Sequence, residues 1–124
     1  MSFWWRLFGE AKKVEFNPGE FEVVRVKAER EWWQAGELIV TNHRLFWFAS
    51  NSKVPLVELD LREVLGCVKT RSWYYLGLYP SVKVLLSNGS SEQFHAVASC
   101  DFVVSQIEQF AGKERYKPGM LFKS

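Results

Sequence analysis

Gly36-Glu37-Leu38-Ile39-Val40-Thr41-Asn42-His43-Arg44-Leu45-Phe46 reads as two apolar strands folded about a polar turn. Leu38 to Thr41 and Leu45 to Ala49 are the strands, joined across Asn42-His43, and a two-residue connection led by Asn suits a tight hairpin because Asn tolerates positive φ. Upstream, Asn17-Pro18-Gly19 marks a turn, and Phe21 to Ala28 forms a strand with Val24, Val26 and Ala28 on one face. Downstream, Ser50-Asn51-Ser52 is polar punctuation. Leu56 to Leu61 then resumes alternation, with Val57, Leu59 and Leu61 inward and Glu58 and Asp60 outward. Val64 to Thr70 is a fifth strand, and Val82 to Leu86 and Gln93 to Val97 flank Asn88-Gly89, the strongest short hairpin signal in the chain.

After Val97 the period changes. Ser99 suits an N-cap, Asp101 places negative charge in the first turn, and Val103, Ile107, Phe110 and Ala111 recur at helical spacing. Gly112 is a natural C-terminal stop, with Pro118 further on. About seven strands in consecutive hairpins followed by one amphipathic helix define an α+β domain, and closing the sheet would hide its edges.

A chain of 124 residues fits one domain with short flanks and buries enough surface to fold without a disulfide or metal. With 48% hydrophobic and 24% charged residues, intrinsic disorder is excluded as the default. A net charge of +2 is too small to argue for nucleic acid, and no apolar run approaches the ~18 residues of a membrane span. Arg6 interrupts the N-terminal apolar run, so Met1 to Gly9 does not read as a signal peptide. Cys67 and Cys100 lack paired neighbours and read as free thiols of a cytoplasmic protein.

The charge is unevenly placed. Residues 1–13 carry Arg6, Lys12 and Lys13 against Glu10, and residues 113–124 carry Lys113, Arg115, Lys117 and Lys123 against Glu114. Residues 14–112 hold nine basic and twelve acidic side chains, so the basic excess lies in the flanks, which are also apolar or aromatic. The division is an apolar, basic N-terminal segment (1–16), the domain (17–112) and a basic tail (113–124).

The hairpin segment Gly36 to Phe46, with Asn17-Pro18-Gly19-Glu20 ahead of the first strand, resembles the pleckstrin-homology (PH) superfold. The similarity is closest to its GRAM and bacterial PH-like branches, with the GLUE domain more distant. It covers residues 17–112 and implies a PH-like barrel: seven antiparallel strands in two near-orthogonal sheets, capped by one C-terminal helix with Val103, Ile107 and Phe110 as the plug. It also implies binding of phosphoinositides, anionic membranes or proteins, and a structural role for Arg44. The sequence departs from the phosphoinositide-binding pattern. Arg25, Lys27 and Arg30 are interleaved with Glu29, Glu31 and Glu37, and the second strand has no base, so a phosphate-clamping field is largely cancelled.

Three aromatic segments are the candidate contact surfaces. On a helical wheel Phe3, Trp4, Trp5, Leu7 and Phe8 fill one half and Ser2, Arg6, Gly9 and Glu10 the other; so short a segment needs a surface to become helical. A membrane interface supplies one, with Lys12 and Lys13 meeting anionic lipid; the protein's own domain or another subunit supplies the alternative. Trp32-Trp33, just after Arg30, lies in the loop between the first two strands, where exposed aromatics act as membrane wedges or protein hot spots. Trp73 to Tyr79, preceded by Lys69 and Arg71, is a second aromatic loop.

No chemistry-bearing constellation appears. His43 and His95 have no partner at metal-ligand spacing, Ser87 to Ser91 is a turn, and no nucleophile–base order stands out. The expectation is a non-catalytic module without cofactor or metal, cytoplasmic, attached peripherally to anionic membranes without headgroup specificity. The alternative is a protein-interaction or self-assembly module using the same aromatics, including as a homo-oligomer.

Overall fold

Alternating and continuous apolar runs draw the described chain into seven strands. The computed structural model describes residues 12–30, 34–71 and 79–112. β1 (Glu22–Arg30), β2 (Gln34–Thr41), β3 (Arg44–Ala49) and β4 (Val57–Asp60) form one antiparallel sheet in that order. β5 (Val64–Arg71), β6 (Pro80–Leu86) and β7 (Ser91–Phe94) form a second, also antiparallel. A 3₁₀ turn, Leu61–Glu63, links them, and helix α1 (Cys100–Phe110) ends the described chain.

The sheets meet at one corner. Glu29 and His95 exchange two backbone hydrogen bonds of 2.7 and 2.6 Å, joining β1 to the end of β7. The Ala98 amide donates to the Lys27 carbonyl, and Arg30 pairs with Glu92 at 2.8 Å across the same seam. At the opposite corner the 3₁₀ turn carries the chain between sheets: Asp60 accepts from the Arg62 amide, and the Gly112 amide donates to the Leu61 carbonyl at 2.7 Å. Val103 and Ile107 of α1 are fully buried in the core between the sheets, with Phe110 and Ala111 packed beside them.

Trp47 forms the centre of that core, its indole N–H donating to the Ala28 carbonyl at 3.1 Å. Gly36, opposite Ala49 on the neighbouring strand, lies so close to it that an added Cβ would meet the Phe48 carbonyl oxygen and the Trp47 ring. Glycine is required there by space, not by backbone angle.

β2 and β3 are buried on both faces. Ile39, Phe46 and Phe48 point away from the main core yet are no more than 3% exposed. Val14 packs on them, so the segment from Lys12 to Phe16 crosses the outer face as a strap. The strap is pinned at both ends: the Lys12 ammonium donates to the Ser50 and Ser52 carbonyls, Arg25 donates to the Lys12 carbonyl, and Arg44 donates to the Glu15 carbonyl. A sheet covered on both faces reads as a continuous apolar run, as Leu38-Ile39-Val40 and Leu45 to Ala49 do.

Several local expectations are corrected. Neither Asn42 nor His43 has positive φ; Asn42 works through its side chain, accepting from the Phe21 amide and donating to the Gly19 carbonyl. Leu61 is buried as expected but belongs to the 3₁₀ turn, because the Asp60 carboxylate caps that turn and ends β4. Ser99 holds the N-cap position with φ of 52° and makes no side-chain cap bond, so α1 starts on backbone geometry alone. β7 stops at Phe94, since Ala96, with φ of 49°, turns the chain out of the sheet.

Candidate interaction surfaces

The two turns that carry the resemblance are clasped to each other. Arg44, the first residue of β3, holds the Glu20 carboxylate through Nε at 3.0 Å and Nη2 at 2.6 Å. The Thr41 hydroxyl donates to the same carboxylate and accepts from the His43 and Arg44 amides, while the Asn17 amide donates to Glu20 Oε1 at 2.8 Å. Burial alone would raise the Glu20 pKa, but the hydrogen bonds from Arg44, Thr41 and Asn17 outweigh it and bring the pKa from 4.5 down to about 2. Arg44 also reaches Glu58 at 3.2 Å and lies over the Phe46 ring at 4.6 Å. Its guanidinium is committed to holding turns together.

Four more cations of the domain are engaged in the same way. Arg25 pairs with Glu22 at 2.8 Å and Glu37 at 3.1 Å; Arg62 pairs with Asp60 at 2.6 Å; Lys69 pairs with Asp101 at 3.1 Å. Arg30 joins Glu92 and the Gln93 carbonyl and lies over the Phe94 ring. Of the residues singled out from the sequence, Lys12 and Arg30 thus serve internal contacts, Lys69 bridges β5 to α1, and Lys13 and Arg71 are exposed. Phe3, Trp4, Trp5, Arg6, Phe8, Trp32, Trp33 and Trp73 lie outside the described residues.

The structure brings three chain segments to one end of the four-stranded sheet. Lys12, where the N-terminal segment joins the strap, is bonded to the 50–52 turn. The Ser50 amide donates to the Ala35 carbonyl, beside the Arg30–Gln34 pair that flanks the Trp32-Trp33 loop. The same β3–β4 connection presents Val54 at 64% and Leu56 at 56% exposure, next to the exposed Lys53. Neither Val54 nor Leu56 was singled out from the sequence as a contact residue; Val54-Pro55-Leu56, an apolar run directly after Lys53 and a polar turn, is the signal that marks them.

Clefts on the described surface include two that border the turns and the strap. One, about 290 Å³, is lined by Asn17, Asn42, His43, Arg44, Asp60, Leu61, Arg62 and Phe110; Arg44 and Arg62 both face carboxylates there, so its field is weak. The other, about 380 Å³, lies beside the strap between Lys13, Phe16, Phe46, Pro55 and Glu58. Cys67 and Cys100 are free and buried. Burial pushes the Cys67 thiol up to about 12, helped by the nearby Glu108 charge, which leaves it unreactive at neutral pH. Ser81 and His95 contact at 3.3 Å but are buried. Among the described residues no three His, Cys, Asp or Glu side chains gather as metal ligands, and no helix is long and apolar enough to cross a membrane.

The class these elements define is an α+β domain of seven antiparallel strands in two sheets with one C-terminal helix. A solved structure with a similar fold is the C-terminal domain of an unknown protein from Leishmania infantum. It aligns at a TM-score of 0.61 with 14% identity, over 74% of this chain and 84% of that one, a likeness of fold alone. No protein-family model and no curated protein matches the sequence.

Proposed function

We propose that this chain is a non-catalytic module of the PH-like superfold, similar to GRAM and bacterial PH-like domains, that associates peripherally with anionic membranes. The strand order, the Glu29–His95 bridge between sheets and the helix packed into their core support a PH-like barrel of two near-orthogonal sheets. The observation that carries the membrane reading is the convergence at one end of the sheet: the junction with the N-terminal segment at Lys12, the ends of the Trp32-Trp33 loop, and exposed Val54 and Leu56 beside Lys53. Apolar side chains grouped around a cation suit the headgroup–acyl boundary. With Arg25 and Arg30 of β1 facing Glu22, Glu37 and Glu92, affinity comes from apolar insertion and diffuse charge, not from one headgroup.

Co-sedimentation with neutral and anionic vesicles, at low and physiological salt, tests this reading. Full-length protein is expected to pellet with anionic vesicles, and Val54→Asp/Leu56→Asp to weaken binding by about tenfold or more, since each side chain loses apolar insertion. No pelleting with either vesicle, or binding indifferent to the double substitution, overturns it. A protein-interaction or self-assembly role draws on a different observation, the outer edge of β5, with which no strand pairs among the described residues.

A further inference from the structure

Arginines and lysines of the described chain are used differently. Arg25, Arg30 and Arg44 of the four-stranded sheet each face a carboxylate, whereas among the described lysines only Lys69 does so. Lys12 is held by the Ser50 and Ser52 carbonyls, and Lys13, Lys27, Lys53 and Lys83 are exposed without an ion pair. Strand register places them. Val24, Val26 and Ala28 of β1 face the core, so Lys27 stands on the opposite, outer face in the row Lys27–Glu37–Phe48. Glu37 there is taken by Arg25, and Glu29, in the next row, is half-buried at the seam with His95. That next row ends at the 50–52 turn, where the Ser50 amide donates to the Ala35 carbonyl and Lys12 arrives from the strap. Lys13 lines the cleft beside the strap together with Pro55, and Lys53 directly follows the turn. Four lysines without a carboxylate thus gather at one end of this face; Lys83 stands apart, on the other sheet. Since α1 packs between the sheets, the lysine face points away from it. Exposed Glu63 and Glu108, which make no ion pair, lie on the 3₁₀ turn and α1, and Glu15 lies at the other end of the strap. A domain of small net charge is therefore polarised across its thickness.

We infer that this lysine face is the side on which the chain lies against an anionic bilayer, strap toward the lipid and α1 away from it. The inference rests on the membrane reading above and adds an orientation and named headgroup contacts to it. Ammonium groups on flexible stems are mobile point charges spread over a sheet face, which suits an array of mobile anionic headgroups within a Debye length. The patch is continuous with the exposed apolar side chains of Val54 and Leu56, and Phe16 on the strap is 47% exposed on the same face. Charge beside exposed apolar side chains fits the headgroup–acyl boundary; an acidic peptide would use the charge and leave those side chains in water.

Two substitutions of equal charge on different faces test this. With vesicles of phosphatidylcholine and phosphatidylserine at low salt, Lys27→Gln should weaken binding of the full chain by about fivefold, and Lys83→Gln by less than about twofold. Lys13→Gln/Lys27→Gln/Lys53→Gln should weaken it by about a hundredfold, with an unchanged thermal melt showing that the fold is intact. A polarity-sensitive fluorophore at Phe16→Cys should shift to the blue on these vesicles, and one at Glu108→Cys should not; the native Cys67 and Cys100 are buried. Equal losses from Lys27→Gln and Lys83→Gln, a response at position 108, or silence at position 16 overturns the orientation while leaving membrane binding in place. A chain that pellets with neither vesicle overturns both proposals. If poly-glutamate then perturbs the amides around Lys27 and Lys53, the face takes an acidic protein instead.

Discussion

Replacing Glu20 by Gln tests whether the clasp between the Asn17–Glu20 and Thr41–Arg44 turns stabilises the fold. The carboxylate is buried, receives Arg44 through two nitrogens at 2.6 and 3.0 Å, and takes two further hydrogen bonds from Thr41 and the Asn17 amide. Lowering its pKa from 4.5 to about 2 is equivalent to about 3 kcal/mol of stability at neutral pH, counted at ~1.36 kcal/mol per pKa unit. The sign follows from linkage. A carboxyl whose pKa is depressed in the folded state stabilises it above the unfolded value of 4.5, and that contribution fades as pH falls toward 2. Gln keeps the shape but not the charge, so Glu20→Gln should cost about 3 kcal/mol at pH 7, within the range for breaking one side of a buried ion pair. Urea denaturation followed by tryptophan fluorescence, at steps from neutral pH down to about pH 2, reads the difference between the two proteins. Carboxylates common to the two proteins, such as Asp60, whose pKa is lowered by its hydrogen bonds to Arg62, cancel in the comparison. The gap should close as the pH approaches 2. A gap under about 0.5 kcal/mol at neutral pH, or one that stays constant throughout, refutes the reasoning.

Two further substitutions probe packing. Gly36→Ala places a methyl carbon against the Phe48 carbonyl and 2.6 Å from Trp47 Cε2, so the indole or the strand must shift; a loss of about 1–3 kcal/mol in a urea melt and a changed tryptophan emission are expected, and unchanged stability would mean the strand pair yields freely. Ile107→Ala empties a fully buried site beneath α1 and should cost about 2–5 kcal/mol by calorimetry or urea melt, with a change of only a few tenths showing that the helix is not docked.

Local signals were legible and distant ones were not. Asn88-Gly89 announced its hairpin because the turn needs nothing beyond its own residues: Gly89 adopts φ of 90° and the Asn88 side chain accepts from the Ser90 amide. Val103 and Ile107 were readable because helical spacing alone selects the buried face. Asn42 misled for the same reason. Its identity fits a positive-φ turn, but its carboxamide is used by Gly19 and Phe21, some twenty residues upstream, through contacts no local rule contains. The strap was invisible since Val14 meets Phe46 and Phe48 only after the sheet has formed, and a run such as Leu45 to Ala49 does not say which face needs a cover. At the candidate surface, the residue types were chosen on composition. Which bases would be neutralised was settled by partners far along the chain, as with Arg30 and Glu92 or Lys69 and Asp101.

That neutralisation constrains how any acidic surface is met. Arg25, Arg30, Arg44, Arg62 and Lys69 each face a carboxylate within 3.2 Å, and Lys12 is held by two carbonyls. Breaking such a pair to free a base for a phosphate would cost the fold its own contact, and at Arg44 the cost is that of exposing a buried Glu20. The interior of the chain, acidic overall from residue 14 to 112, therefore contributes little long-range attraction, and the basic excess sits in the two flanks. Salt should act on contact made by the flanks, through screening, and barely on contact made by Val54 and Leu56, which rests on apolar burial. A division of labour follows from the fold: arginines that close turns and seams are held by their own carboxylates, so the membrane contact proposed above falls to the side chains that folding leaves exposed.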